Sequence, residues 1–240
     1  MALYVYAITG KDHPHRGLGG LTGVGSRPAP VRVVAAGPLC AVVSDISEEI
    51  RPKRRDLQAH QEVQERLMAG AVVLPLQFGY IAPDEQTVRQ ALEENPDGYL
   101  ATLERLEGCA EYHARATQAD EDELLRQILQ DSPQARELNE RIRSGAQDPQ
   151  LPLTLGELVA REVQERQDAL AAGLVQALTP YAREHVTHPP SPPDFLNLSL
   201  LVPHEREDDF LAAQTGLAAQ IKGGVDFRLT GPLPPYSFVQ

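Results

Sequence analysis

The order of apolar and polar positions in the first hundred residues predicts a sheet accompanied by helices. Three short runs rich in β-branched and aromatic residues predict strands at 3–8, 31–36 and 39–44. Gly37-Pro38 separates the last two runs, and this spacing predicts a hairpin. The run at 71–78 is apolar at almost every position, which predicts a central strand.

Apolar residues at helical spacing predict the helices. The predicted helices cover 56–69, 84–94, 99–106, 120–130, 133–145, 154–186 and 207–222. Asp56 is predicted to cap the first of them, and Asn95-Pro96 ends the second. The longest pattern opens with Thr154-Leu155-Gly156-Glu157, which has the spacing of a capping box.

The second half of the chain also contains strand patterns. Between Cys109 and Thr117 the apolar period changes to two, which predicts a strand, and two more strands are predicted at 195–202 and 225–229. This order of elements predicts an α+β protein with antiparallel sheets. The breaker pair Asn95-Pro96 predicts a boundary between a domain at 1–95 and a domain at 96–240, the latter with a helical segment at about 118–188.

The C-terminal end is unusual because it is apolar, aromatic and rich in proline. Chain ends are ordinarily polar and frayed, but residues 231–239 contain three prolines together with Tyr236 and Phe238. Each proline fixes its φ near −65°, so the segment has lost much of its conformational freedom before folding. We predict a strand followed by an extended strap that covers a core.

Charge narrows the classes of partner. The chain has 34 acidic and 22 basic side chains and a formal net charge of −12. This charge argues against a nucleic-acid partner and disfavours docking on anionic lipid. The apolar runs are far shorter than a membrane span and no signal peptide is recognisable, so we expect a cytoplasmic protein without a lipid partner.

The sequence contains no recognisable catalytic motif. The glycine-rich loop at 17–25 lacks the register of a phosphate-binding loop, and the two cysteines form no CxxC pair. The histidine pairs His13/His15 and His185/His188 lack an evident third ligand, so they are read as surface histidines. We therefore predict no catalytic residue, no cofactor and no metal site.

Four motifs, in this order along the chain, resemble the gas vesicle protein F/L (GvpF/GvpL) family. They are Leu3-Tyr4-Val5-Tyr6-Ala7-Ile8, Val73-Leu74-Pro75-Leu76-Gln77-Phe78-Gly79, Leu106-Glu107-Gly108 followed by Glu111, and residues 231–239. Together they span residues 3–239. Gln77 stands where the family usually has an arginine, and Leu233 where it often has a tryptophan.

The resemblance implies two α+β domains, the second a modified ferredoxin-like domain with an antiparallel sheet and a long helical insertion. It implies a non-enzymatic accessory protein of gas vesicle assembly that binds the small hydrophobic shell protein, and other accessory proteins as further partners. The role would be that of chaperone, nucleator or minor wall component, located at the vesicle and in the cytoplasm. The alternatives are a small-molecule enzyme or sensor on a ferredoxin-like scaffold and a structural adaptor that joins several accessory proteins.

Candidate partner-binding residues lie in two places. The basic cluster is either a solvated loop or a docking point for an acidic partner, and it consists of Arg51, Lys53, Arg54 and Arg55. The second group is either part of the core or a binding surface, and it comprises Gln77, Phe78 and Tyr236. The outer face of the helix predicted at 154–186 and the glycine-rich loop are further candidate surfaces.

Overall fold

The computed structural model describes residues 1–47 and 49–239. It divides into two compact units. Unit 1 comprises Met1–Glu111 together with the C-terminal segment from Gly231 onward, and unit 2 comprises Tyr112–Thr230. The boundary predicted at Asn95-Pro96 refers to domains that fold independently. A division into compact units does not test that property, so this boundary stays a prediction.

The first half of the chain forms a five-stranded sheet and three helices. The elements are β1 (Leu3–Gly10), β2 (Val31–Ala36), β3 (Leu39–Asp45), α1 (Arg54–Met68), β4 (Leu74–Pro75), β5 (Ile81–Ala82), α2 (Glu85–Glu94) and α3 (Pro96–Leu106). The strand order is β2-β3-β1-β4, and β5 also pairs with β1. All of these pairs are antiparallel, and the predicted hairpin of β2 and β3 is confirmed.

The strand predicted at 71–78 is wrong in both length and place. Only Leu74–Pro75 is a strand, and it lies at the edge of the sheet, where it pairs with Ala7 and Ile8 of β1. Pro75 has no N–H to donate, and proline inside a sheet is confined to edges and bulges. The run is apolar because Val73 and Leu74 are buried in the core, so its composition reports burial and not strand length.

Helix starts in unit 1 follow local capping signals except in α1. Asp84 and Asn95 accept hydrogen bonds from the first turns of α2 and α3, as N-cap residues do. Lys53 is the N-cap of α1, so the prediction that Asp56 caps this helix is wrong. Asp56 lies in the first turn, and its carboxylate accepts a hydrogen bond from the backbone N–H of Gly25 at 2.9 Å.

The remaining elements form a four-stranded sheet and four helices. They are β6 (Cys109–Gln118), α4 (Glu121–Asp131), α5 (Pro133–Arg143), α6 (Leu151–Leu178), β7 (Glu184–Thr187), β8 (Asp194–Pro203), α7 (Glu207–Gln220) and β9 (Val225–Leu233). The strand order is β7-β8-β6-β9. The described residues thus form an α+β protein with two antiparallel sheets and seven α-helices. The ferredoxin-like arrangement stays a prediction.

The longest helix, α6, has 28 residues and differs from its prediction at both ends. It begins at Leu151, and the Thr154 hydroxyl lies inside the helix, where it donates to the carbonyl of Gln150. The helix ends at Leu178 because Pro180 cannot continue the hydrogen-bond ladder. The end of the helical segment predicted at 118–188 is therefore wrong, since Glu184–Thr187 is a strand paired with β8.

Candidate functional site

The C-terminal segment packs into unit 1, as its apolar composition predicts. After β9 the chain passes through Pro234 and Pro235, both buried, into a short 3-10 turn at Tyr236–Phe238. The side chain of Phe238 is 4% exposed, which confirms the predicted burial. The strap is not extended throughout, because the turn replaces its last residues.

Two charged side chains, Glu111 and Arg105, hold this segment in place. Glu111 is fully buried, and its carboxylate accepts hydrogen bonds from the Ser237 backbone N–H at 2.9 Å and from the Ser237 hydroxyl at 2.6 Å. The Arg105 guanidinium donates to the carbonyl oxygen of Phe238 at 2.5 Å. A buried carboxylate requires such donors, because burying it unpaired is costly.

His60 of α1 joins the C-terminal segment to β1. Its Nδ1 lies 3.0 Å from the Tyr4 hydroxyl, and its Nε2 lies 3.0 Å from the Tyr236 hydroxyl. The Tyr4 hydroxyl also accepts a hydrogen bond from the backbone N–H of Gly79 at 3.0 Å. A neutral imidazole offers one donor and one acceptor, which is what two hydroxyl partners require. We call His60, Tyr4, Tyr236 and Gly79 the histidine network.

Aromatic rings surround this network. The Tyr4 and Tyr6 ring centroids are 4.8 Å apart, and Phe78 lies 5.8 Å from Tyr4 and 5.7 Å from His60. The His60 and Tyr236 rings are stacked at 6.5 Å. Four of the chain's twelve Tyr and Phe residues therefore meet around one histidine, and offset and edge-on pairs at these distances add to the stability of the core.

The histidine network is not poised for acid–base chemistry near neutral pH. Burial lowers the pKa of His60 to about 4. Burial, with a smaller contribution from the Glu111 charge, raises the pKa of Tyr236 to about 12, and burial also raises the pKa of Tyr4. A general acid or base works best with a pKa near the operating pH, so the geometry fits a structural connection and not a proton-transfer site.

The basic cluster lies exposed at the start of α1. Arg51, Lys53, Arg54 and Arg55 are all exposed. Arg55 forms an ion pair with Asp56 at 2.9 Å. Burial acts to raise the pKa of Asp56, but hydrogen bonds from the Gly25 N–H and from Arg55 outweigh it and lower this pKa. Cations at a helix N-terminus oppose the macrodipole, so local helix stability does not account for the cluster.

The structure brings two of the predicted residues together. Phe78 and Tyr236 are half-buried and both contact His60, whereas Gln77 is exposed beside them in the chain. Nothing in the described residues joins these three directly to the basic cluster, although His60 and Arg54 lie on the same helix. His60 is expected from its apolar helix face to be a hydrogen-bonded histidine at the edge of the core, and it is. The connecting roles of His60 and Glu111 were not predicted, although Glu111 belongs to one of the family-like motifs.

Two exposed apolar side chains next to this region were also missed. Tyr80 is 54% exposed and Ile81 is 43% exposed, and Ile81 lies in β5, at the edge of the sheet. We call Gln77, Phe78, Tyr80 and Ile81 the β4–β5 surface. An alternating pattern would have revealed such a surface, but the strands here have only two residues each.

The glycine-rich loop is packed against the core of unit 1. Leu18 and Val24 are buried, and the Val24 backbone N–H donates to the Tyr6 hydroxyl at 3.0 Å. A methyl group at Gly23 would collide with Tyr6 and Ser44, so this glycine is required by close packing. This close packing accounts for Gly23 without a phosphate ligand.

The part of the chain that the structure describes contains neither a cluster of metal ligands nor a helix fit to span a membrane. Within residues 1–47 and 49–239, no three His, Cys, Asp or Glu side chains are grouped so as to hold a metal ion. His13, predicted at the surface, is buried and its Nε2 lies 3.1 Å from the carbonyl oxygen of Leu67. None of the described helices combines the length and apolarity needed to cross a bilayer.

Similarity to known proteins covers the whole chain. The family profile described as "Gas vesicle synthesis protein GvpL/GvpF" matches residues 2–240. Gas vesicle protein F of Streptomyces sp. (strain CB03234) is 40% identical over 243 residues, covering 100% of both chains. Gas vesicle protein L of the same organism is 29% identical over 259 residues, covering 98% of this chain and 91% of that protein.

The fold is also found in a solved structure. The crystal structure of the gas vesicle protein GvpF from Anabaena sp. PCC7120 matches with a TM-score of 0.84 at 21% identity. The match covers 100% of this chain and 98% of the other. The resemblance inferred from four motifs is thereby confirmed, and the chain belongs to the gas vesicle GvpF/GvpL family.

Proposed function

We propose that this protein is an accessory protein of gas vesicle assembly and that it binds the small hydrophobic shell protein through the β4–β5 surface. Membership of the GvpF/GvpL family supports the place in vesicle assembly. The observation that carries the choice of surface is the exposure of Tyr80 and Ile81 at the edge of the five-stranded sheet. Exposed apolar side chains grouped on a surface are typical of protein-binding sites.

The edge itself favours side-chain contacts over strand addition. β4 and β5 have two residues each, and Pro75 lacks a backbone donor. An edge this short offers little template for another strand to pair with. A small, apolar, self-associating shell subunit would therefore dock its side chains on Tyr80 and Ile81 without being drawn into a growing sheet.

The histidine network supports this surface from below. Phe78 contacts both Tyr4 and His60, and the Gly79 backbone N–H is bound to the Tyr4 hydroxyl. The two residues that follow Gln77 are therefore fixed to the core. A binding surface that is already ordered loses less conformational entropy when its partner docks.

The basic cluster is proposed as a second docking point, for an acidic segment of the same partner or of another accessory protein. Arg51, Lys53, Arg54 and Arg55 are exposed cations on a chain of net charge −12. Complementary charges mainly accelerate association and fix orientation, and their effect falls as salt is added. No cofactor is required for either contact, and the protein acts by binding and not by catalysis.

Co-expression with the shell protein tests the proposal. Tagged protein retains the shell subunit on an affinity resin at low salt, and the double variant Tyr80→Ser/Ile81→Ser retains much less. Val33→Ser is the matched control, because Val33 is 36% exposed on the edge strand β2. Failure of the unaltered protein to retain the subunit overturns direct binding.

The double variant and cross-linking distinguish where the shell protein binds from whether it binds. Retention by the double variant equal to that of the control would assign binding to another face. Cross-links to the shell subunit, mapped by mass spectrometry, should fall within 77–81 and 51–55. Cross-links confined to unit 2 would contradict the choice of surface while leaving binding itself intact.

A further inference from the structure

Unit 2 contains a cleft that the proposed function does not use. It has a volume of about 180 Å³ and lies among the end of β6, helices α4 and α6, strand β8 and the turn before β9. The lining residues are Gln118, Leu124, Gln127, Arg166, Gln167, Leu170, Phe195, Lys222, Gly223 and Val225. We propose that this cleft binds the C-terminal residue of a partner peptide, with its carboxylate at Lys222 and its apolar side chain against the apolar wall.

The charge of the lining favours a carboxylate. Both charged residues that line the cleft, Arg166 and Lys222, are cationic, although the chain has 34 acidic and 22 basic side chains. Arg166 is paired with Asp131 at 3.1 Å and with Glu162 at 3.8 Å, so its charge is largely balanced. Lys222 has no ion pair or hydrogen bond among the described residues, which leaves its ammonium group as the unmatched charge.

The turn that carries Lys222 is held in one conformation. The Gln118 side-chain amide donates to the carbonyl oxygen of Gly223 at 2.8 Å. The Gly224 carbonyl oxygen accepts hydrogen bonds from the backbone N–H groups of Ala119 at 2.8 Å and Asp120 at 2.9 Å. Since the backbone of the turn is ordered before a ligand arrives, little backbone entropy is lost when a carboxylate binds there.

The remaining lining suits one apolar side chain beside that carboxylate. The apolar wall consists of Leu124, Leu170, Phe195 and Val225. Pockets that bind drug-sized ligands have volumes of roughly 300–1,000 Å³. This cleft of about 180 Å³ is therefore too small for a nucleotide or a large cofactor. The Gln167 amide, which has no hydrogen-bond partner among the described residues, is the second polar group available to the ligand. One C-terminal residue of a peptide fits the volume of the cleft, places a negative charge at Lys222 and places an apolar side chain against the apolar wall.

NMR titration of the full-length protein tests this site. The probes are acetyl-Ala-Ala-Leu with a free C-terminal carboxylate, the same peptide with a C-terminal amide, and acetyl-Ala-Ala-Gly with a free carboxylate. The free-carboxylate leucine peptide should shift the backbone signal of Gly223 and the side-chain signals of Gln127 and Gln167. The amide and the glycine peptide should each bind about tenfold more weakly, which is the loss of one good contact. Equal affinity for all three probes overturns the proposal, as does the absence of any shift.

Two variants complete the test. Lys222→Gln removes the unmatched charge without breaking an ion pair and should weaken binding about tenfold. The control is Arg161→Gln, which lies on α6 and does not line the cleft. Unchanged affinity in Lys222→Gln contradicts the assigned role of the lysine. Isovaleric acid tests a small-molecule source, and tighter binding of this acid than of the peptide would contradict a peptide ligand. None of these results depends on binding of the shell protein, because the cleft lies in unit 2 and the β4–β5 surface lies in unit 1.

Discussion

The two compact units are stabilised in different ways. Unit 1 connects segments that are far apart in the chain through buried polar groups, as in the contacts of His60 with Tyr4 and Tyr236. The helices of unit 2 instead pack around an aliphatic cluster made of Leu124, Ile128, Ala135, Leu138, Leu151 and Leu158. Single polar substitutions should therefore matter more in unit 1, and unit 2 should tolerate surface changes well.

Removing the C-terminal segment is the strongest way to test this difference. Truncation after Gly231 removes Phe238, whose burial stabilises by about 1.5–3 kcal/mol, and leaves Glu111 without the Ser237 donors, which costs about 1–3 kcal/mol more. We expect a loss of about 3–6 kcal/mol in the unfolding free energy of unit 1, from a total near 5–15 kcal/mol.

Denaturant unfolding of the truncated chain, followed by hydrogen exchange, measures this loss. Amides of β1 and α1 should lose protection, whereas amides of α4 and α5 should keep it. Unchanged protection in β1 would show that the C-terminal segment does not stabilise unit 1. Equal losses of amide protection in both units would contradict the proposed difference in how the two units are stabilised.

Acid should weaken unit 1 through His60. Its pKa is about 4 in the folded protein and 6.5 in the unfolded chain, so the unfolded state binds the proton more readily. The neutral histidine therefore contributes stability above pH 6.5, and this contribution is lost as the pH falls from 6.5 to about 4. The pKa difference corresponds to roughly 3 kcal/mol.

The pH dependence of the unfolding free energy tests this prediction. In His60→Phe the fall between pH 6.5 and 4 should be shallower than in the unaltered protein. His204→Gln is the control, because His204 is exposed. Identical pH profiles for the unaltered protein and His60→Phe would contradict the role given to His60.

Substitution of Glu111 should have an intermediate effect. Glu111→Ala removes the acceptor for both Ser237 donors, and a hydrogen bond to a charged group contributes about 1.5–3 kcal/mol. Ser237→Ala removes only one of the two hydrogen bonds to the carboxylate and should cost less, about 1.5 kcal/mol. Thermal unfolding of both variants gives the comparison, and a larger loss in Ser237→Ala than in Glu111→Ala would contradict this arrangement.

Reversing one charge of the basic cluster should have the smallest effect on the free energy of unfolding, and this change should stabilise the protein where the others destabilise it. Arg54→Glu places an anion at the N-terminus of α1, which stabilises the helix by about 0.3–1 kcal/mol. The same substitution should reduce capture of the shell protein at low salt. Arg66→Glu in the last turn is the control and should destabilise the helix. Unchanged capture by Arg54→Glu would remove the basic cluster from the proposed interface.

Local signals predicted the helices of the chain better than its short strands. Asp84 and Ser132 begin helices as predicted, because capping depends on residues three or fewer positions apart. Asn95, which was predicted only to end α2, also caps α3. The strand at 71–78 was mispredicted because burial, and not alternation, makes that run apolar. The start of α6 was missed because the Thr154–Glu157 spacing fits a capping box that the helix passes over.

The sequence by itself determined most of the helices, the hairpin of β2 and β3, the α+β class, the burial of Phe238 and membership of the family. These properties depend on local periodicity and on motifs that can be recognised in the sequence alone. Only the tertiary structure decided which distant residues meet, such as His60 with Tyr236 across 176 positions and Glu111 with Ser237 across 126. Hydrogen bonds between such residues depend on the path of the chain in space, and no spacing within the sequence encodes that path directly.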